Sequence, residues 1–191
     1  LRAIHLIVAD IAATAPLWHT LLSAYHYRGV KTRVGHSLRY LALDRQNRPV
    51  GCLLFGAAAW TCAPRDRFIG WTSAQRQAHL PNVLNNMRFL IPPWVRVPHL
   101  ASHLLALAVR QLPTDWQRNY GFPIYLLETF VDQSRFSGTC YRAANWLPGG
   151  ETTGRSRQDR DRLLRVPVKA VYVYPLHSHF REQLSQEDRC P

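Results

Sequence analysis

The stretch "MRFLIPPWVRVPHLASHLLALAVRQLPTDWQRNYGFPIYLLETFV", residues 87–131, limits the fold more than any other part of the chain. A short apolar run, Met87 to Ile91, stops at Pro92 and Pro93, which have no N–H to continue a strand ladder. Ala101, Leu104, Leu105, Ala108 and Leu112 then recur on one helical face. Pro98 suits the first turn of that helix, and "TDWQRNYGFP" is expected to break it. The run "IYLLETFV" reads as a second buried strand. Two strands joined through a long helix predict α/β order.

The flanking segments extend this plan. Thr14 and Pro16 mark a helix start, and Leu17, Leu21, Leu22 and Tyr25 continue at helical spacing to an end near Gly29. Leu38 to Leu43 and Val50 to Ala58, around the polar loop "DRQNRP", form a hairpin signature that makes the sheet mixed. Ser73 is placed to cap a short helix that opens with Ala74 and Gln75. Gly138 to Trp146 predicts a further short helix. "GGETTGRSRQDRDRLLR" predicts a polar, basic loop, and "VKAVYVYPL" alternates like a strand. No internal repeat or low-complexity linker interrupts the chain.

With 191 residues, 47% of them hydrophobic, one domain spanning 1–191 is expected, and disorder of the whole is excluded. The first residue is Leu1, so an upstream segment is expected. The opening run "AIHLIVADIAA" is too short, and too interrupted by His5 and Asp10, to cross a bilayer. A cytoplasmic protein without membrane contact is the expectation. Cys52, Cys62, Cys140 and Cys190 form no C-x-x-C pair, which points to reduced thiols rather than structural zinc or a disulfide framework.

The formal charge is +12, and Lys31 and Lys169 are the only lysines among 24 basic side chains. Arginine pairs bidentately with phosphate and stacks on bases, so DNA is the expected partner. A GC-rich genome would produce the same bias without one. The cluster Arg155, Arg157, Arg160, Arg162 and Arg165 is the densest cationic footprint, diluted by Asp159 and Asp161. Arg88 in "MRFLI" is a further candidate for phosphate, with a surface ion pair as its competing reading. Arg65, Asp66 and Arg67 in "PRDRF" read as a loop network of that ordinary kind. Trp60, Trp71, Trp94 and Trp146 divide between core and base stacking, with at least two expected in the core.

"YHYRG", "LRYLAL", "PRDRFIGW", "VLNNMRFLI", "PWVRVPHLASHLLALAVRQLPTDW", "LLETFVD" and "GTCYRAANW", seven phrases in order, resemble the family of the Druantia anti-phage component DruA. The order strand, basic turn, helix, strand and tyrosine-bearing helix also resembles the GNAT acyltransferase fold, a mixed central sheet flanked by helices. The resemblance to DruA implies antiviral defence, alongside other defence proteins, or mobile-element neighbourhoods. A looser likeness, to the Mom family of phage DNA modifiers, rests on His26-Tyr27, Asp132 and Gly138, Tyr141, Ala143, Asn145 and Trp146.

The GNAT likeness implies acyl-CoA as the candidate cofactor, held by a loop whose N–H groups cradle pyrophosphate at a helix start. Here that loop is Arg96-Val97-Pro98-His99-Leu100-Ala101. Arg96 and Ala101 fit its ends, Ser102 follows, and Asn145 stands in the later helix where the family carries glycine. His99 occupies a glycine position and Pro98 has no N–H, so the cradle is altered. The likeness also makes Tyr141 a general acid, with Asp132 or His26 as base and Tyr27 beside it. Core packing competes for Tyr141, a turn or cap for Asp132, and helix capping for Asn145. Glu128 beside Asp132 offers a carboxylate to accept an amine proton or bind a metal, and ordinary arginine pairing is the expectation for it.

His26, Tyr27 and Asp132 together would offer two oxygens and a nitrogen, suited to iron or manganese. Interfacial packing competes for that pair, and no metal is expected. His99 and His103, at i and i+4, would flank a pocket or solvent. Two functions follow: a GNAT-like defence protein that acts on or near DNA by acylating a nucleobase amine, or a catalytically degenerate DNA-binding or transposition-associated scaffold.

Overall fold

The computed structural model describes residues 4–10, 12–30, 35–154 and 167–186. The order is β1 (His5–Val8), α1 (Ala15–Tyr25), β2 (Ser37–Leu43), β3 (Pro49–Ala57), α2 (Ala63–Ile69), α3 (Ser73–His79) and β4 (Val83–Leu90). There follow α4 (Leu100–Tyr120), β5 (Leu126–Asp132), α5 (Thr139–Ala143), β6 (Leu147–Glu151), β7 (Lys169–Pro175) and α6 (Phe180–Leu184). The strands form one sheet in the order β1-β2-β3-β4-β5-β7-β6, and helices flank it. Antiparallel ladders join β1 to β2, β2 to β3, β5 to β7 and β6 to β7. The expected α/β class and the hairpin are both present.

Two compact units divide the chain, residues 1–57 with 85–123 and residues 58–84 with 124–191. In the first, Trp18 is fully buried, and its indole N–H donates to the carbonyls of Tyr40 (3.1 Å) and Leu53 (3.2 Å). These two residues face each other across the β2–β3 ladder, so one side chain from α1 is fastened to both strands. Ala9, Leu21, Leu22, Leu41, Leu43, Cys52, Leu54 and Leu90 are buried with it in that core. Gly51 is glycine for a packing reason: a Cβ there would lie 2.6 Å from Leu104 Cδ1 of α4. The second unit buries Ile69, Trp71, Leu80, Val83, Leu126, Val171, Val173, Phe180 and Leu184 together.

The structure corrects several boundaries. Helix α4 runs through Pro113 and Asp115 to Tyr120 and ends at Gly121, whose φ is 80°. The apolar stripe carries past the proline to Trp116, which is 1% exposed. Asp115, also buried, accepts the Tyr40 hydroxyl at 2.9 Å. Tertiary contacts thus outweigh the one helical hydrogen bond that Pro113 removes. At its other end α4 starts at Leu100, so Pro98 precedes the helix. Thr72, not Ser73, caps α3: its hydroxyl accepts from the Gln75 N–H while the Gln75 side chain accepts from the Thr72 N–H. "LPGGE" is strand β6 rather than loop, because its pairing with β7 needs backbone and not alternating side chains. "APRDRFI" is helix α2, begun by Pro64 and closed by Gly70 at φ 87°.

Candidate functional site

Local structure first decides which predicted site residues share surroundings. Asp132 ends β5, where its Oδ1 accepts the Ser134 hydroxyl at 2.6 Å and the Ser134 N–H at 3.1 Å. The Ser134 hydroxyl, with the Ser134 N–H, Arg135 and Lys169, holds this carboxyl below the usual aspartate range. The Arg135 and Phe136 amides donate to its carbonyl, so Asp132 organises the turn that leaves the strand. The same second unit contains Tyr141, on α5, which is 8% exposed. Its ring stacks on Tyr172 at 5.9 Å and meets Trp146 edge-on at 5.2 Å. Thr129 Oγ1 donates to its hydroxyl at 3.4 Å.

Gly138 caps α5 at φ 70°, and a Cβ there would sit 2.6 Å from the Tyr172 hydroxyl. Glycine is therefore required twice over, by dihedral and by space. Arg142 Nη1 donates to that same hydroxyl at 2.8 Å. Asn145 follows the helix in the left-handed region, φ 63°. Its N–H donates to the Arg142 carbonyl and the Trp146 N–H to the Tyr141 carbonyl, the paired bonds of a Schellman ending. The glycine-like backbone is kept with an asparagine in it.

Arg65 is the buried cation that sequence reasoning takes for a surface loop residue. It is fully buried, with Nη1 donating to Glu128 Oε2 at 3.0 Å and to the Ala59 carbonyl at 2.7 Å. Glu128, equally buried, also accepts the Ala59 N–H at 2.7 Å. Burial pushes its carboxyl up, while Arg65 and the Ala59 N–H pull it down. No local signal marks that burial, because "PRDRF" is as polar as any exposed loop.

In the first unit, the turn after α1 carries a continuous series of chemical groups. Tyr25 is 49% exposed and meets Trp94, 55% exposed, edge-on at 4.9 Å. His26 and Tyr27 stack at 4.9 Å, and Tyr27 is 44% exposed. Arg88 of β4 reaches this turn: its Nε donates to the Gly29 carbonyl at 3.0 Å and its Nη1 to the Met87 carbonyl at 2.7 Å. Among the described residues no carboxylate pairs with Arg28 or Arg88. Burial, then the Arg28 charge, lowers the pKa of Arg88. Burial, then Arg88 and Arg28, lowers that of His26 to about 4. His26 is therefore neutral at pH 7. Its Nδ1 accepts the Arg28 N–H at 3.2 Å, which assigns the ring proton to Nε2 and makes that nitrogen a donor. Of the four tryptophans divided between stacking and core, Trp94 and Trp60 are exposed, and Trp71 and Trp146 are buried. Tyr25, expected on the apolar face of the helix, is instead exposed as the last residue of α1, and Arg28 carries no separate expectation from sequence, although "YHYRG" at a helix end is its signal.

The predicted cofactor loop is also in this unit. His99 caps α4 at φ 60°, the left-handed conformation that a glycine would adopt freely. Its carbonyl accepts the His103 N–H at 3.1 Å and the Ser102 hydroxyl at 3.1 Å. The first turn leaves the Ala101 and Ser102 amides without an acceptor among the described residues, while Pro98 has none to give. Arg96 is exposed. The backbone shape is of the expected kind, yet a side chain occupies the turn and one donor is missing, so this loop does not reproduce a glycine-lined pyrophosphate cradle. Arg155, Arg157, Arg160, Arg162 and Arg165 lie outside the described residues. Among the described residues no three His, Cys, Asp or Glu side chains gather as a metal site, and no helix is long and apolar enough to cross a membrane.

Comparisons with known proteins agree with the architecture. The sequence profile of the family described as Druantia protein DruA matches residues 3–164. A protein of that name from Escherichia coli (strain UMEA 4076-1) is 29% identical over 110 residues, a match that takes in 56% of this chain and 27% of that protein's length. Among solved structures, spermidine N-acetyltransferase from Vibrio cholerae in complex with CoA and spermine superposes with a TM-score of 0.61 at 10% identity, covering 92% of this chain and 97% of the other. The Vibrio cholerae enzyme SpeG in complex with manganese ions gives 0.58 at 10% identity, covering 95% and 97%. At such identity the likeness carries the fold alone, and that fold is GNAT-like.

Proposed function

Because the chain belongs to the DruA family of Druantia proteins, we propose that it serves that defence system by acting on or near DNA. Other proteins of the system are its partners in this reading, and the DNA contact is made by arginine. The carrying observation is a surplus of guanidinium that the chain cannot neutralise: 24 basic residues, all but two of them arginine, against 12 carboxylates. Several of those carboxylates are already committed, Glu128 to Arg65, Asp66 to Arg65 and Arg76, and Asp44 to Arg48. Arg28 and Arg88 are left facing a polyanion's natural chemistry.

The geometry favours binding over acyl transfer. Tyr141 is buried against Tyr172 and Trp146. His26 presents a protonated nitrogen rather than a basic one, and the His99 loop offers a modified cradle. The GNAT-like fold and the fit of Arg96 and Ala101 support the second reading, modification of a nucleobase amine by an acyl group, with Asp132, His26, Tyr27 and Tyr141 as its reacting residues. Two measurements separate the readings. Gel-shift titration of DNA at several salt concentrations is expected to show binding that weakens steeply with salt; DNA left unbound at low salt would sink the main proposal. Incubation with acetyl-CoA and DNA, followed by mass spectrometry of the digested nucleosides, is expected to leave them unmodified. An acylated base that disappears in Tyr141→Phe would establish the second reading in its place.

A further inference from the structure

We propose that the turn after α1, together with Arg88 and Trp94, is a binding site for single-stranded nucleic acid. This rests on the DNA-acting reading above and assigns it to particular side chains. Two kinds of group are needed to hold an unpaired strand: cations along the backbone, and flat rings on which bases stack. Both stand within Tyr25, Tyr27, Arg28, Arg88 and Trp94. The three rings keep roughly half of their surface open, 49% for Tyr25, 44% for Tyr27 and 55% for Trp94. Large aromatic side chains held open beside cations are poorly explained by core packing.

Arg88 supplies the fixed charge. Hydrogen bonds to the Gly29 and Met87 carbonyls use its Nε and Nη1, which orients the guanidinium and leaves Nη2 without a partner among the described residues. A guanidinium anchored by carbonyls keeps its whole charge for a ligand, unlike one neutralised by a carboxylate. Arg28, exposed and three residues beyond Tyr25, adds a second charge. Burial lowers the pKa values of His26 and Arg88 most, and the repulsion of the Arg28 and Arg88 charges adds to it. An arriving phosphate would relieve that repulsion, while neutral His26 retains an Nε2–H to donate.

Stacking selects the strand form. In a duplex the base faces are covered by their neighbours, so Tyr25, Tyr27 and Trp94 have no flat surface to meet; in a single strand each base exposes one. Duplex DNA would use only the two arginines.

The test titrates the full chain into a short labelled oligothymidylate and into a duplex of equal length, following anisotropy and tryptophan emission. The single strand is expected to bind more tightly and to quench emission, with much of the quench abolished in Trp94→Phe. Trp94→Ala should weaken binding about tenfold without altering its salt dependence. Arg28→Gln combined with Arg88→Gln should weaken it at least as much and lower the slope of log affinity against log salt by about 1.4, roughly 0.7 for each phosphate no longer neutralised. Thermal unfolding checks the double variant, and exposed Arg28→Gln alone, expected to lower the slope by about 0.7, carries the test if Arg88→Gln does not fold. Variants that bind like the parent chain, while the parent binds DNA, would overturn this site and leave the DNA reading standing. A duplex bound as tightly as the single strand would overturn the stacking role. Failure of the parent chain to bind either form would remove both proposals.

Discussion

At the scale of single residues, His26 joins charge to stability. Its folded pKa of about 4 lies below the ordinary 6.5. As pH falls, the unfolded chain therefore takes up this proton first. Above about pH 6.5 both states are neutral at this site and nothing is lost. Between 6.5 and 4 the folded state loses ground, and the loss is complete below 4. Urea midpoints measured across that window should fall, and fall less steeply in His26→Asn. Arg65 and Glu128 make a different prediction. Glu128→Leu leaves a buried guanidinium with Asp66 as its one acidic partner among the described residues and should cost about 3 kcal/mol or more in chemical denaturation. Replacing both residues by apolar ones should cost less than the two single changes added together. An arginine partner for Glu128 was legible in the sequence, but its identity and its burial were not: Arg65 of "PRDRF" and Glu128 of "LLETF" stand far apart along the chain, and nothing in either segment announces that its charge is buried. Asn145 was legible, since asparagine is the commonest substitute for glycine at a left-handed helix ending.

At the scale of elements, α4 shows where reading by local propensity fails. Proline inside a helix costs about 3 kcal/mol relative to alanine, and a break at "TDWQRNYGFP", directly after Pro113, was the expectation. The helix continues because Trp116 and the Asp115–Tyr40 hydrogen bond bury the turn beyond it. The strands β2, β3, β5 and β7, the second half of β4 and the long helix were legible from their apolar runs and spacing, whereas β1 was read only as an apolar run, β6 had no periodicity to read and α2 hid a buried arginine inside a polar phrase. At the start of the same helix, His99 holds a positive φ of 60°. His99→Gly removes that strain and should raise stability by up to about 1 kcal/mol, less the entropy that glycine adds to the unfolded chain. Calorimetry of this variant with CoA separates two effects: if the histidine side chain alone blocks the turn, affinity appears; if the missing Pro98 donor dominates, it does not. Gly138→Ala acts oppositely, since the added methyl meets the Tyr172 hydroxyl at 2.6 Å as well as an unfavourable dihedral. Its melting temperature should drop by several degrees, corresponding to about 1–3 kcal/mol.

At the scale of the whole molecule, the arginine surplus was plain from composition, while its arrangement was not. The expected footprint, Arg155 to Arg165, lies outside the described residues, and the structure draws attention instead to Arg28 and Arg88 near open aromatic rings. The sheet's last strand has a further consequence. Among the described residues β6 stands at one end of the strand order, so its outer edge is the side on which another chain's strand would add. Its sequence, Leu147-Pro148-Gly149-Gly150-Glu151, is hostile to such addition: Pro148 lacks an N–H, two glycines offer no side chains to pair, and the register slips between Pro148 and Gly150. Pro148→Thr with Gly149→Val would restore a regular ladder and β-branched surface. Light scattering of that variant should reveal concentration-dependent assembly that the parent chain resists, making five plain residues a guard against fibril-like growth.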